Sequence, residues 1–448
     1  MGSEQREFTS ACENGHMDVV RLLLADRRVN PAYHNNYALR QACTKGHVDV
    51  VRLLLADSRV NPADSYAIEM ACKYGHVDVV RLLLADIRVN PADSYNATIR
   101  WACANGHYEV VRLLLADARV NPGDENNDAI RSACENGHAD VVRLLLADRR
   151  VNPAYLDNYA LRQACTKGYV DVVRLLLADS RVNPADDNNY AIRFACENGH
   201  LHVVRLLLVD SRADPADLEN HAICLACENG HVDVVCLLLA DERVNPADRN
   251  NYAIRWACMN GHVDVVRLLL ADPRVNPADR RNEAILWACH SGHVDVVRLL
   301  LTDSRVNPAD YENLAIREAC AKCHVNVVRL LLADSRVNVC HVVSTYPGIM
   351  GNCGEDETIC ALLALAGIEA FCTKYGPLDS NMYNLDMLRH WQKVSFITLY
   401  QQGEEFRNGP YDVLLKHRLE VASLYGSTVL TSRLPIEMIE LVLEYMYS

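Results

Sequence analysis

The sequence predicts an all-α protein: a solenoid of helix pairs followed by a small helical C-terminal domain. Three observations carry this expectation. One unit recurs with a period of 31 residues over about three quarters of the 448-residue chain. Every copy holds two helix-like segments, and in all but the last the first is stopped by Gly and the second by Pro. After residue 338 the repeat ceases, yet helix-length apolar runs continue between Gly and Pro residues.

The period is read from one anchor. A histidine falls at His16, His47, His76, His107, His138, His200, His231, His262, His293 and His324, with Tyr169 in the missing slot, which makes eleven units. The spacing is 31 throughout, except for 29 between His47 and His76. A fixed period of this size marks a solenoid or related array. The first helix of each unit reads "NYAIRxACxNG". Asn precedes it at Asn36, Asn96, Asn127, Asn158, Asn189, Asn220, Asn251, Asn282 and Asn313, with Ser65 once in the slot, and both residue types accept early helix N–H bonds as N-caps. Gly ends this helix because Gly takes the left-handed C-cap conformation without steric cost. The second helix, "VDVVRLLLAD", is apolar over most of its circumference and is expected to pack on more than one side. Pro in "RVNPAD" then ends helical geometry.

The stretch "AIRFACENGHLHVVRLLL" (191–208) resembles the ankyrin repeat, with its pair of small residues, Gly-His, Val-Val and Leu pair. The likeness covers roughly residues 3–338 and recurs eleven times. There are departures: the family's Thr-Pro-Leu-His opening is replaced by forms such as Tyr190-Ala191-Ile192-Arg193, the second small residue is always Cys, and the unit is shorter than usual at its finger-like connector. The opening helix, "SEQREFTSAC", is polar apart from Phe8, as a terminal cap of a solenoid should be. At the far end Cys323 replaces the stopping Gly and Val339 the recurrent Pro, so the array is expected to span 3–338 and a helical domain 339–448.

Composition excludes several functions. The net charge is −13 and the pI about 5.7, opposed to a phosphate-gripping surface, so no nucleic-acid partner is expected. The N-terminus carries no apolar signal segment and no stretch has the length of a membrane span. Of eighteen Cys, eleven occupy one repeat position, Cys12 through Cys320. Stacked helices lie ~8–10 Å apart, whereas bridged Cα atoms need ~7 Å or less. These thiols therefore read as free, small apolar fillers in a reducing, cytoplasmic compartment. The Gly-His histidines are spread along the array and read as structural. A looser group at the array's end, Cys323, His324, Cys340, His341, Cys353, Cys360 and Cys372, has no Cys-x-x-Cys, and no metal or other cofactor is expected. No nucleophile elbow, phosphate loop or paired-carboxylate motif is present, so no enzyme is expected.

A protein-binding scaffold is the function the repeat implies. In the ankyrin family the slot after the second small residue and its successor line the concave face. The resemblance places Lys73, Tyr74, Met259 and His290 there. A second variable slot holds Trp101, Trp256 and Trp287, which reads either as half-buried framework or as interface anchors. Tip residues Tyr33, Tyr155, Leu218, Arg280, Arg281 and Tyr311 are expected to be exposed. The target site is expected between Trp256 and Tyr311, on Trp256, Met259, Arg280, Arg281, Trp287, His290 and Tyr311, and the acidic charge favours a basic protein target. The regular Asp171/Arg174-type spacing reads as a solvated helix face.

Array plus tail resembles the ankyrin proteins of large DNA viruses, whose poxviral members end in a truncated F-box; for such a protein the compartment is the host cytoplasm. In the tail, helices are expected at 356–374, 384–401, 411–425 and 435–447. The last, "LPIEMIELVLEYM", resembles the first helix of an F-box, with Leu434, Pro435, Glu437, Val442, Tyr445 and Met446 at matching positions. That likeness implies docking on the adaptor of a cullin-RING ubiquitin ligase, with the array selecting the substrate. A plain core helix is the alternative.

Overall fold

A computed structural model describes residues 2–64 and 66–337 of the chain. The four expected tail helices, the F-box-like residues Leu434 to Met446 and the array's end at 338 lie outside the described residues. Among the described residues all regular structure is helical, in pairs, with no strand. The chain divides into two compact units, Met1–Ala222 and Ile223–Ser448.

Among the described residues each unit is a stack of helix pairs. In the second, Asp248–Met259, Asp279–Ser291 and Asp310–Ala321 are first helices packed one on the next. Val263–Ala271, Val294–Leu301 and Val325–Ala333 are their partners and form a parallel layer. The first unit repeats the plan, for example with Asp124–Glu135 packed on Tyr155–Lys167 and that on Asp186–Glu197. One repeat supplies its core from both helices and the connector: Ala253, Ile254, Ala257, Cys258, Val265, Val266, Leu269 and Val275 are all essentially fully buried. Burying each Val, Ile or Leu is worth about 1.5–3 kcal/mol, so the same small set of residues in every copy supplies the cohesion of the stack. In the opening helix, Phe8 fills the Ile place and is fully buried.

The Asn residues do not cap their helices. No side-chain cap bond is made at the start of Asp248–Met259 or Asp279–Ser291. Instead Asn282 closes a left-handed turn of three residues, Arg280, Arg281 and Asn282, with φ of +48°, +60° and +62°. Left-handed geometry costs an L-residue about 1–2 kcal/mol, and Asn tolerates it better than most. The compensation is a joint between repeats. Asn282 is buried, its Oδ1 accepts the Asn307 N–H (2.7 Å), and its Nδ2 donates to Asp310 Oδ2 (3.0 Å). Asn251 does the same with Asn276 (2.7 Å) and Asp279 (2.9 Å). In the opening repeat Gln5 Oε1 substitutes, accepting the Asn30 N–H at 2.8 Å.

Two further joints recur. The Gly-His histidine reaches back one repeat: His262 Nε2 lies 2.9 Å from the Glu228 carbonyl oxygen, and His293 Nε2 lies 2.9 Å from that of Met259. The connector arginine is the third. Arg305 pairs with Asp303 through Nε and Nη2, while its Nη1 donates to the Val275 carbonyl at 2.8 Å. Arg181 and Arg212 repeat this with Val151 and Val182, and their Nη2 groups reach the carbonyls of Leu146 and Leu177 at the ends of second helices. Those carbonyls are orphans of the helix terminus and carry its negative dipole, which a guanidinium satisfies. Cys323, in the place of the stopping Gly, keeps the left-handed conformation at φ +58°.

Candidate functional site

With cores and joints assigned, one group of side chains that differ between repeats falls on one face of the first helix. Positions i, i+3/i+4 and i+7 share a helix face, so Tyr252, Arg255, Trp256 and Met259 lie together, and Glu283, Trp287 and His290 follow in the next repeat. All are half-buried. The rings of Tyr252 and Trp256 tilt against each other at 5.3 Å. Trp287 meets His290 edge-on at 5.8 Å, and His290 Nδ1 lies 3.0 Å from Glu318 Oε2 on the following helix. Arg255 Nη1 bonds Glu283 Oε2 at 2.5 Å. Two aromatic clusters, Tyr252–Trp256 and Trp287–His290, thus lie on corresponding faces of successive first helices, joined by the Arg255–Glu283 pair, with Met259 on the face of Trp256. Met259 has two roles, since its carbonyl also receives His293.

The tip residues form a separate group. Arg280, Arg281 and Tyr311 occupy the left-handed turns and are exposed, and the Arg281 guanidinium lies 4.6 Å over the Tyr311 ring. Leu218 is exposed as expected, whereas Tyr33 and Tyr155 are half-buried, and the Tyr155 hydroxyl donates to Asn126 Oδ1 at 2.7 Å.

Lys73 and Tyr74 belong to the other unit. There the Lys73 ammonium stands 4.5 Å over the Trp101 ring and 5.8 Å over Tyr74. Tyr74 is 49% exposed and Trp101 41%. The Trp slot is not uniform: Trp256 and Trp287 are half-buried, whereas Trp101 is exposed.

The sequence reading passed over a ladder of Arg and aromatic residues in the first unit. Arg131 lies over Tyr159 (5.5 Å) and Arg162 over Tyr190 (5.0 Å). Tyr190 stacks on Phe194 at 3.7 Å, and Arg193 covers Phe194 at 5.8 Å. Its signal in the sequence is the recurrent Tyr-x-x-Arg, as in Tyr159 to Arg162 and Tyr190 to Arg193. The Asp/Arg ladder of the second helix is the solvated face its spacing predicts. Second-helix pairs such as Glu109–Arg112 are about half exposed and contribute little, whereas the connector pairs join repeats.

Burial sets the cysteine chemistry. It pushes the Cys12 thiol up to about 12 and the Cys43, Cys165 and Cys258 thiols higher still. Such thiols are neutral and poor nucleophiles. Among the described residues no group of His, Cys, Asp or Glu is arranged to hold a metal ion, and no helix is long and apolar enough to cross a membrane.

Helix pairs stacked through repeated joints, with variation concentrated in the first helix and the connectors, define a repeat-array interaction module. The family model described as ankyrin repeats (three copies) matches residues 8–64, 68–157, 99–188, 133–218, 161–250, 192–280 and 254–341. The chain belongs to the ankyrin-repeat family, and its array is a protein–protein interaction module. No curated protein matches the sequence.

Proposed function

We propose that the array binds a protein target on the first-helix face and tips between Trp256 and Tyr311. The observation that carries this reading is the pair of clusters Tyr252–Trp256 and Trp287–His290, flanked by exposed Arg280, Arg281 and Tyr311. Aromatic and Arg side chains dominate interface energetics, and the −13 net charge favours a basic target. Lys73, Tyr74 and Trp101 offer a further contact point in the first unit. We place the protein in a reducing, cytoplasmic compartment, in keeping with its buried free thiols, and assign it no catalytic role.

The finer reading is that the array ends near 338 and that residues 339–448 form a second domain. In that reading Leu434, Pro435, Glu437, Val442, Tyr445 and Met446 recruit a cullin-RING adaptor, as in viral ankyrin proteins. It rests on the sequence pattern of the tail.

The test begins with capture by the full-length chain, read by mass spectrometry. Replacing Met259, Arg280 and His290 together by Ala should weaken binding of the captured target at least about tenfold, the size expected for one lost hot spot. Unchanged affinity in a folded variant would move the site elsewhere. Recovery of adaptor and cullin with the full chain, and their loss from a chain ending at Ser432, tests the tail.

A further inference from the structure

The unit between His47 and His76 is shorter than the others by two residues, and the loss falls in the connector. In place of a long merged first helix it has a short turn, Pro62–Asp64, leading through Tyr66 at φ +50° into Ala67–Lys73. Between this connector and that of the following unit lies a cleft of about 450 Å³. Clefts of about 300–1,000 Å³ accept small ligands or side chains.

Its lining has two sides. Ile68, Val89 and Pro62 are apolar; Glu69, Asp93 and Asn90 are polar. Glu69 occupies the repeat position held by Arg100, Arg131, Arg162 and Arg193 in later units, so the charge there is inverted. Glu69 is only 9% exposed. Burial raises its carboxyl above the usual value, against the lowering influence of the nearby Ser94 hydroxyl. Arg100, a nearby cation, is engaged elsewhere, donating to the Ser94 carbonyl at 3.0 Å and facing Asp128 at 3.6 Å. Among the described residues no Lys, Arg or His lines the cleft. A buried carboxylate is costly unless a charge or strong donor pairs with it, and this one faces an open cleft that holds a second carboxylate.

We infer that this cleft receives the cationic side chain, Arg or Lys, of a bound protein. The aliphatic stem lies along Ile68 and Val89, and the charged head reaches Glu69 and Asp93. Long cationic side chains bury their stems against apolar surface in this way, and charge-assisted hydrogen bonds fix the head. The inference rests on the protein-binding reading but not on where in the second unit the main target docks.

The test uses full-length protein with labelled Ile methyl groups, titrated with propylguanidinium and with its neutral isostere propylurea. The Ile68 methyl signal should shift saturably with the guanidinium and not with the urea. Glu69→Gln should weaken guanidinium binding at least about tenfold, as loss of a charge-assisted bond implies. Ala63→Phe, which keeps both carboxylates and fills the rim, should abolish it. The remaining Ile signals report that each variant is folded. No shift at Ile68, equal response to propylurea, or undiminished binding by Glu69→Gln would each overturn the inference. None of these outcomes bears on capture of a target through Trp256 to Tyr311.

Discussion

His293 and Gly261 are locked together. The imidazole Nε2 reaches the Met259 carbonyl at 2.9 Å, and a Cβ placed on Gly261 would stand 2.6 Å from the same ring's Nδ1. Gly261 also has φ +79°, a region that L side chains rarely adopt. The Gly-His signature of this chain is therefore a contact across a repeat boundary: the glycine of one unit makes room for the histidine of the next.

This relationship predicts a non-additive pair. Gly261→Ala should cost about 2–4 kcal/mol, combining left-handed strain with overpacking. His293→Ala should cost about 1–2 kcal/mol for the lost bond and contacts. The double variant should be more stable than the sum, because removing the ring relieves the clash. Urea denaturation of the four proteins measures the coupling, and strict additivity would refute the lock.

Asn282 should respond differently to Asp and to Ala. Its Nδ2 donates to Asp310, so Asn282→Asp replaces a donor with a carboxylate facing a carboxylate. Asn282→Ala merely leaves the Asn307 N–H and Asp310 less satisfied, at about 1–3 kcal/mol. At neutral pH the Asp variant should melt below the Ala variant, and the gap should narrow on acidification.

The connector arginines act through geometry. Arg305→Lys should lose most of what Arg305→Ala loses, about 0.5–1.5 kcal/mol with allowance for solvent exposure, because an ammonium cannot span Asp303 and the Val275 carbonyl as a guanidinium does. Thermal melts of the two variants decide this.

Acid should loosen the array at these same joints. The hydrogen bonds from Arg59, Arg88, Arg119 and their counterparts hold the Asp57, Asp86 and Asp117 carboxyls below their ordinary value. A depressed acid stabilises the fold above its unfolded pKa, and that stability is lost as pH falls through the folded value. Stability should thus decline from about pH 4 downward. Glu69, raised by burial, has the opposite sign: protonating it on acidification favours the fold. Urea midpoints from pH 7 to pH 3 should show the net decline, and Asp303→Asn should flatten its share.

Thiol reactivity should separate cleanly among the described residues. Cys236 and Cys323 are exposed, and the repeat cysteines are buried. A thiol reagent should label the exposed pair quickly in native protein and Cys43, Cys165 or Cys258 only on unfolding. Mass mapping of labelled peptides provides the check.

The sequence displayed what acts within one unit. The period, the left-handed Gly and the buried repeat Cys follow from local spacing. What escaped were bonds whose partners lie a repeat away. Asn282 resembled a helix cap because Asn before an apolar run usually is one, and nothing local shows that its amide faces Asp310. Arg305 sits beside Asp303 in the sequence, but its value comes from Val275. Of the candidate site, simple spacing puts Trp256 with Met259, and Trp287 with His290, on corresponding faces of successive first helices. The Arg–aromatic ladder from Arg131 to Phe194 needed the stacking of successive helices to be seen.

At two of the three joints, the arginine and the histidine, the receiving group is a main-chain carbonyl. Such an acceptor is identical whichever copy supplies it. A boundary of this kind has no dialect: any repeat can follow any other, and a copy gained or lost by unequal exchange leaves sound seams behind. Array length is then free to drift by whole units, while the displayed face changes one residue at a time without reopening the question of whether the protein folds.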